Sequence, residues 1–339
     1  RAASSRLMPT SILIDTDPGI DDAVAISLAA RLPALRLAAI TTVHGNTDVH
    51  RATRNARLVA SRAGIAAPVI AGAAAPLVRE ARPARETHGP EGLGYVFPES
   101  GPERENDRAA EEIISQVRGG HRVTMCCLGP LTNLASAIAF APDVADLLGP
   151  VFVMGGAIAV PGTQTATSEF NWWSDPEAAD FVLHARLDLR LVPLDVTRRI
   201  AVPGSAIRML EEAGASDPDA KFWADALRFY ADFHRAHERF DGCVVNDALA
   251  VALAADPSLA EWEEMRLDVS LSEGERRGSV SRSVIGGRVS VATSVRATDV
   301  LSLIEHTVFS RWLPEGSLAS GADDADRWLA AHAPGAGTT

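Results

Sequence analysis

Short apolar runs alternate along this chain with longer amphipathic stretches, the rhythm of strands followed by helices. Ile12-Leu13-Ile14 and residues 37–43, 68–72, 122–128, 151–154 and 189–192 are compact apolar runs ended by Gly, Pro or polar residues, so each is predicted as a buried strand. Helices are predicted from about Asp22 to Pro33 and over 48–62, 108–118 and 134–140. Another opens at Ser174-Asp175-Pro176-Glu177, with a capping candidate and a proline near its start. Residues 203–240 are expected to be largely helical; Phe229, Tyr230, Phe233, His234 and His237 recur there at helical spacing. A short helix should start near Asp247, where a lone Asp is an ordinary cap. Two closing strands, 265–271 and 288–293, are expected around a charged hairpin at 273–278, then a helix over 299–312. No repeat or interdomain linker is visible. One α/β domain over 7–313 is therefore expected, preceded by a disordered end or expression remnant at 1–6 and followed by a Gly/Ala/Pro-rich tail, 314–339, with a peripheral helix near 323–331.

Two segments do not fit a plain alternation. The first is Asp15-Thr16-Asp17-Pro18-Gly19-Ile20-Asp21-Asp22, which crowds four carboxylates into the first strand-to-helix turn. In a parallel sheet that turn opens onto the ligand crevice at the carboxyl ends of the strands. A phosphate would be repelled there, whereas a hard cation such as Ca²⁺ seeks several oxygen ligands. A helix needs only one capping acid, so capping leaves the others unexplained. The second is the irregular stretch 73–107, centred on His88-Gly89-Pro90-Glu91-Gly92-Leu93-Gly94, which reads as a functional loop or a flexible lid.

Composition narrows the chemistry. Hydrophobic residues at 47% suffice for a large core, and 32 basic against 44 acidic side chains give a net charge of −12. That balance disfavours a nucleic acid polymer as partner, since phosphate backbones need a basic face. A small neutral substrate or a cation fits better. Three cysteines, with Cys126 and Cys127 adjacent in an apolar run, form no disulfide framework and point to a reduced, cytoplasmic protein in which they pack. No apolar stretch approaches the roughly 18 residues that span a bilayer, so no membrane partner is expected.

Five features then stand in order at predicted strand ends: Asp15-x-Asp-Pro-Gly-x-Asp-Asp22, Gly45-Asn46, Leu128-Gly-Pro-Leu-Thr-Asn133, Met154-Gly-Gly-Ala157 followed by Glu169-Phe-Asn171, and Asn246-Asp247-Ala-Leu-Ala250. Together they resemble the inosine–uridine-preferring nucleoside hydrolases over about Ile12 to Phe309. The resemblance implies a single-domain, Rossmann-like α/β fold with a mostly parallel central sheet flanked by helices. It implies a glycosidase that hydrolyses the N-glycosidic bond of ribonucleosides in purine and pyrimidine salvage, working as a homodimer or homotetramer. Asp17, Asp22 and Asp247, with the carbonyl of Leu128, would hold Ca²⁺, and a water on that ion would be activated by Asp17. Asp21, Asn46, Glu169 and Asn171 would hold the ribose hydroxyls, Met154 would line the sugar pocket, and His88 would lie near the base. Asp15 would support the site from behind.

The motifs depart from the family pattern at three places. Asn246 stands where a histidine often protonates a purine leaving group, and an amide cannot do so. His237, His234, Tyr230 and His88 are the candidates to replace it. Gly162-Thr163 replaces a Gly-Asn pair, so Thr163 takes the place of a ribose contact. Trp172-Trp173 is bulky for its position, either as packing or as a wall against the base. Base specificity is therefore expected to be atypical. Two other classes share parts of the pattern: a haloacid-dehalogenase-type phosphatase, which also uses Asp-x-Asp after its first strand, and a catalytically weak nucleoside-binding protein.

Overall fold

The computed structural model describes residues 8–99, 106–120 and 122–331. The expected disordered end at 1–6 lies outside them, as do residues 332–339 of the tail. Eleven strands are present among the described residues: β1 (Thr10–Thr16), β2 (Leu35–Thr42), β3 (Val69–Ala71), β4 (Thr124–Cys127), β5 (Val151–Met154), β6 (Leu189–Val192), β7 (Ala201–Pro203), β8 (Gly242–Val244), β9 (Ala260–Val269), β10 (Val280–Arg282) and β11 (Gly287–Val295). Nine form one sheet in the order β10-β9-β11-β6-β5-β4-β1-β2-β3. From β11 to β3 neighbouring strands run parallel, and only β9 is antiparallel to its neighbours.

Helices cover both faces because successive side chains on a strand point to opposite sides. Ile12, Ile14, Cys126 and Phe152 join the core on one face, whereas Leu13, Met125, Cys127 and Val153 join the other. The adjacent cysteines thus pack into different cores, and both are free thiols. The helices Ile20–Arg31 and Asn246–Ala255 lie on the first face and are buried along almost their whole length. This explains why they lack a polar stripe.

Three expectations are corrected. The closing hairpin is a three-strand meander in which β9 pairs with both β10 and β11; β10, three residues between Gly278 and Gly286, is too short for a period-2 signal. The equally short β7 and β8 form a separate antiparallel pair at the two ends of the helical region 204–238. The last helix, Ser320–Ala331, is no loose appendage. Gly321, Ala322 and Ala325 are buried, and Ala325 joins Ala201, Phe240 and Val244 in a small third core. No helix among the described residues is long and apolar enough to cross a membrane.

Candidate active site

The strand order reverses at β1, which lies between β2 and β4, so the loops leaving β1 and β4 diverge and open a crevice. Asp17 stands on one side of it and Leu128 on the other. Strand β1 ends at Thr16 and the helix begins at Ile20, leaving Asp17-Pro18-Gly19 as the whole turn. The four acids now separate by function. Asp22 is the helix cap: it accepts the Gly19 N–H at 2.8 Å, the Asn46 amide at 3.0 Å and the Thr16 hydroxyl. Asp15 accepts Thr41 Oγ1 at 2.6 Å and Asn133 Nδ2 at 2.7 Å, which places it behind the turn. Asp17 accepts the Asn46 N–H at 2.6 Å through Oδ2, but its Oδ1 is buried with no partner. Asp21 accepts Asn246 Nδ2 at 3.3 Å through Oδ2, and its Oδ1 is likewise buried and unpartnered.

Asp247 arrives from the first turn of the helix Asn246–Ala255, whose N-terminus points at the same place. One carboxylate oxygen each from Asp21, Asp22 and Asp247 lies within 4.8 Å of the others. Asp17 is not in this tight trio, although its charge reaches Asp22, Asp21 and Asp247. Burial and mutual repulsion push the acidity of the whole group down: Asp21 rises to about 7, while Asp17 and Asp247 rise well above the ordinary carboxylate range. All the available donors are hard oxygens, and two of them are orphaned although buried. This set could hold a hard divalent cation, which would cancel the repulsion among the acids.

The approach to Asp17 is kept open by glycine. A Cβ on Gly129 would lie 2.7 Å from Asp17 Oδ1. Gly129→Ala is therefore expected to weaken divalent-cation affinity by about tenfold, of the size seen when the supports of metal ligands are disturbed, with the fold retained. Isothermal titration with circular dichroism on the same sample checks it, and unchanged affinity would remove Asp17 Oδ1 from the cation's surroundings.

Beyond the acids a cleft enclosing about 840 Å³, part of it open to solvent, runs outward. Asn46, Leu128, Met154, Glu169, Asn171 and Thr163 line it beside Asp21 and Asp247. Glu169 caps the helix Phe170–Ser174, taking the N–H groups of Asn171, Gly156 and Trp172 at 2.8 to 3.1 Å. Asn171 donates to the Leu128 carbonyl at 2.7 Å, and Thr163 Oγ1 accepts the Phe170 N–H at 3.1 Å. Asp17 and Asp22 are fully buried and are not part of this lining.

The outer part of the cleft is aromatic and basic. His88, from the irregular loop, accepts the Ile20 N–H on Nδ1 at 3.2 Å, so its proton sits on Nε2. Burial and the nearby His234 lower its pKa to about 3, which keeps the ring neutral. His234 donates from Nδ1 to the Tyr230 carbonyl at 2.8 Å, and Tyr230 lies between the two imidazoles, with ring centroids 5.1 and 4.4 Å away. Asn246 is held at both ends: its Oδ1 accepts Thr197 Oγ1 at 2.8 Å while its Nδ2 faces Asp21. It therefore orients Asp21 and stays neutral at every pH.

Two expected site residues are elsewhere. His237 is exposed, stacked on Phe233 with Nδ1 against the Phe233 carbonyl, because the helix carries it round to the solvent side. Trp172 is packing: it is 1% exposed in the second core and lies against Gly155, where a side chain would clash with its ring, and beside Gly156. Conversely, Arg198, Glu238 and Trp328 line the cleft although no motif pointed to them. Trp328, the one tryptophan of the Gly/Ala-rich tail, was the only available signal.

Comparison with known proteins agrees with this arrangement. The family model for inosine-uridine preferring nucleoside hydrolase matches residues 12–302. A protein of that name from Leishmania major is 37% identical over 271 residues, covering 78% of this chain and 85% of its own. Among solved structures, a plant nucleoside hydrolase superposes with a TM-score of 0.81 at 32% identity, covering 92% of this chain and 99% of that one. A purine-preferring ribonucleoside hydrolase from Gardnerella vaginalis gives 0.80 at 26% identity, covering 94% and 100%. The phosphatase reading gives way to these matches. An acidic cluster that could hold a metal at the sheet's switch point, a polar cleft beside it and the match along nearly the whole chain lead to one conclusion: the protein belongs to the inosine-uridine preferring nucleoside hydrolase family, enzymes that hydrolyse the N-glycosidic bond of ribonucleosides.

Proposed function

We propose that this chain is a Ca²⁺-dependent ribonucleoside hydrolase in which Asp17, Asp22, Asp247 and the Leu128 carbonyl hold the ion and Asp17 is the general base. The observation that carries this reading is the buried, unpartnered Asp17 Oδ1, whose carboxylate is electrostatically coupled to Asp22 and Asp247, two members of a close all-oxygen cluster. When bound, the ion supplies positive charge that lets these acids ionise and that polarises a water and the ribose hydroxyls. Asp21, Asn46, Glu169, Asn171 and Thr163 position the ribose, with Met154 against the ring. As the C1′–N bond breaks, its electron pair leaves with the base, and the sugar becomes oxocarbenium-like. The surrounding carboxylates stabilise that charge. The oxygen of a water joins C1′ and its proton passes to Asp17. The base anion takes a proton from solvent, Asp17 returns its proton to solvent, and free base and ribose result.

Asn246 supports an atypical base preference, because it positions Asp21 and can protonate nothing. His88, held neutral, offers the base an Nε2–H hydrogen bond only. Asn246→His is expected to leave cation affinity within about twofold while raising kcat/KM for purine nucleosides by roughly 100-fold, the contribution of one general acid. The new imidazolium, beside Asp21 and Asp247, would also add an alkaline limb to the pH–rate profile. A nucleoside panel measured with both proteins decides this; loss of calcium in the variant would count against the ligand assignment. The three buried free thiols accord with a reducing, cytoplasmic setting. Val284 and Ile285, 91% and 82% exposed between β10 and β11, support assembly into a homodimer or homotetramer.

A further inference from the structure

In the outer part of the cleft the chain buries a cation. Arg198 is 9% exposed and lines the cleft, yet it makes no ion pair among the described residues. Its one hydrogen bond, to the carbonyl of Gly162, is long at 3.4 Å. Asp195, three residues earlier, is already used: its two oxygens accept the N–H groups of Ile158 and Ala159 at 2.9 and 2.8 Å. The Glu238 carboxylate compensates only at a distance, its Oε2 lying 3.8 Å from His234 Nε2. Burying a guanidinium with most of its donors idle is costly, and the fold takes trouble to do it. Trp328 lies over the guanidinium at 5.7 Å and is itself anchored by Nε1 to the Glu238 carbonyl at 2.8 Å. Next to it, Arg199 pairs with both oxygens of Asp326 at 2.8 Å. The helix Ser320–Ala331, beyond the residues matched by the family model, is thus fastened on either side of Arg198.

Arg198 shares the cleft with the rings of Tyr230, Phe233 and Trp328, and Trp328 lies over its guanidinium; these rings suit a planar base. We infer that Arg198, backed by Trp328, donates hydrogen bonds to the departing nucleobase and disperses the negative charge the base gains as the C1′–N bond breaks. This rests on the assignment of Asp17 and its neighbours to water and ribose. The bonding pair passes to the base nitrogen and is delocalised onto a conjugated ring carbonyl, an acceptor for the guanidinium fork. The sugar carbon takes the water oxygen, Asp17 takes the water proton, and the base anion is protonated by solvent after release. Such a group supplies what neutral Asn246 and neutral His88 do not.

The test compares uridine with p-nitrophenyl β-D-ribofuranoside, whose nitrophenolate leaves unaided. Arg198→Met should lower kcat on uridine by roughly 100-fold, the loss typical of one charge-stabilising donor, and change the nitrophenyl riboside by no more than about threefold. Arg198→Lys, which keeps the charge, should recover part of the uridine rate. Equal losses on both substrates would make Arg198 a structural or ribose-side residue and overturn the proposal, as would no loss on either. If Arg198→Met does not fold, Trp328→Leu reads the same ratio, and an unchanged ratio again overturns it. Failure of the underlying assignment is visible separately: Asp17→Ala would then still cleave the nitrophenyl riboside.

Discussion

Asp17→Ala is expected to lower kcat on uridine and inosine by roughly 10⁴-fold, the upper range for a general base, and to abolish calcium binding with it. Both effects trace to one atom pair. Oδ2 is held by the Asn46 N–H at 2.6 Å, and Oδ1 has no protein partner although it is fully buried. Alanine removes a ligand and the proton acceptor together. Asp17→Asn separates them, since it keeps an oxygen at the site and cannot accept the proton: calcium should remain measurable by titration while the rate stays low. An Asp17→Ala protein with full activity would sink the assignment.

Stripping the divalent cation is expected to abolish activity and to invert the pH dependence of stability. Without the ion, Asp21 titrates near 7 in the folded chain against about 3.8 for the ordinary group, raised mainly by burial and then by Asp22. Asp15, in a similarly buried place, also titrates near 7. A folded-state pKa above the unfolded value means that the folded chain binds more protons between about pH 4 and 7. Stability of the stripped protein should therefore be greatest at the acid end of that window and fall as pH rises through it. Adding calcium should lift Tm most at pH 7 and above, where the acids are otherwise forced to ionise against one another, and should restore activity. Calorimetry at pH 5 and 8, with chelator and with added calcium, measures this. A calcium-independent Tm at pH 8 would contradict a cation at these acids.

Much of the fold could be read along the chain because its units are local. The parallel strands β1 to β6 are short apolar runs whose ends are punctuated by residues such as Pro18, Gly129 and Gly155, and the helices between them carry their own periodicity. The meander of β9, β10 and β11 was only half legible, because β10 is three residues long and its pairing depends on a neighbour, not on its own pattern.

The acidic turn pointed to a candidate cation site because capping needs only one acid; the structure gives Asp22 and Asp15 partners within the protein and leaves one oxygen each of Asp17 and Asp21 without one. The resemblance carried by the motifs named Leu128 and Asp247 as distant partners, and the structure brings Asp247 into one cluster with Asp21 and Asp22. What they could not do was sort side chains at helical spacing. His234 and His237 sit in the same stripe, yet one lines the cleft and the other faces solvent, because the turn that separates inside from outside is set by what the helix packs against. Trp172 could equally have been wall or plug until Gly155 and Gly156 gave it a place in the core.

The sequence by itself determined the alternation of the sheet, the crowding of carboxylates at its first turn and an amide, which carries no titratable proton, at Asn246. These depend on residue type and order within a few positions. Only the tertiary structure decided that the cleft ends in a buried arginine, because Arg198 and Trp328 lie 130 residues apart and neither belongs to a local pattern. Their meeting depends on a C-terminal helix folding back over β7, through contacts that no short window of the chain contains.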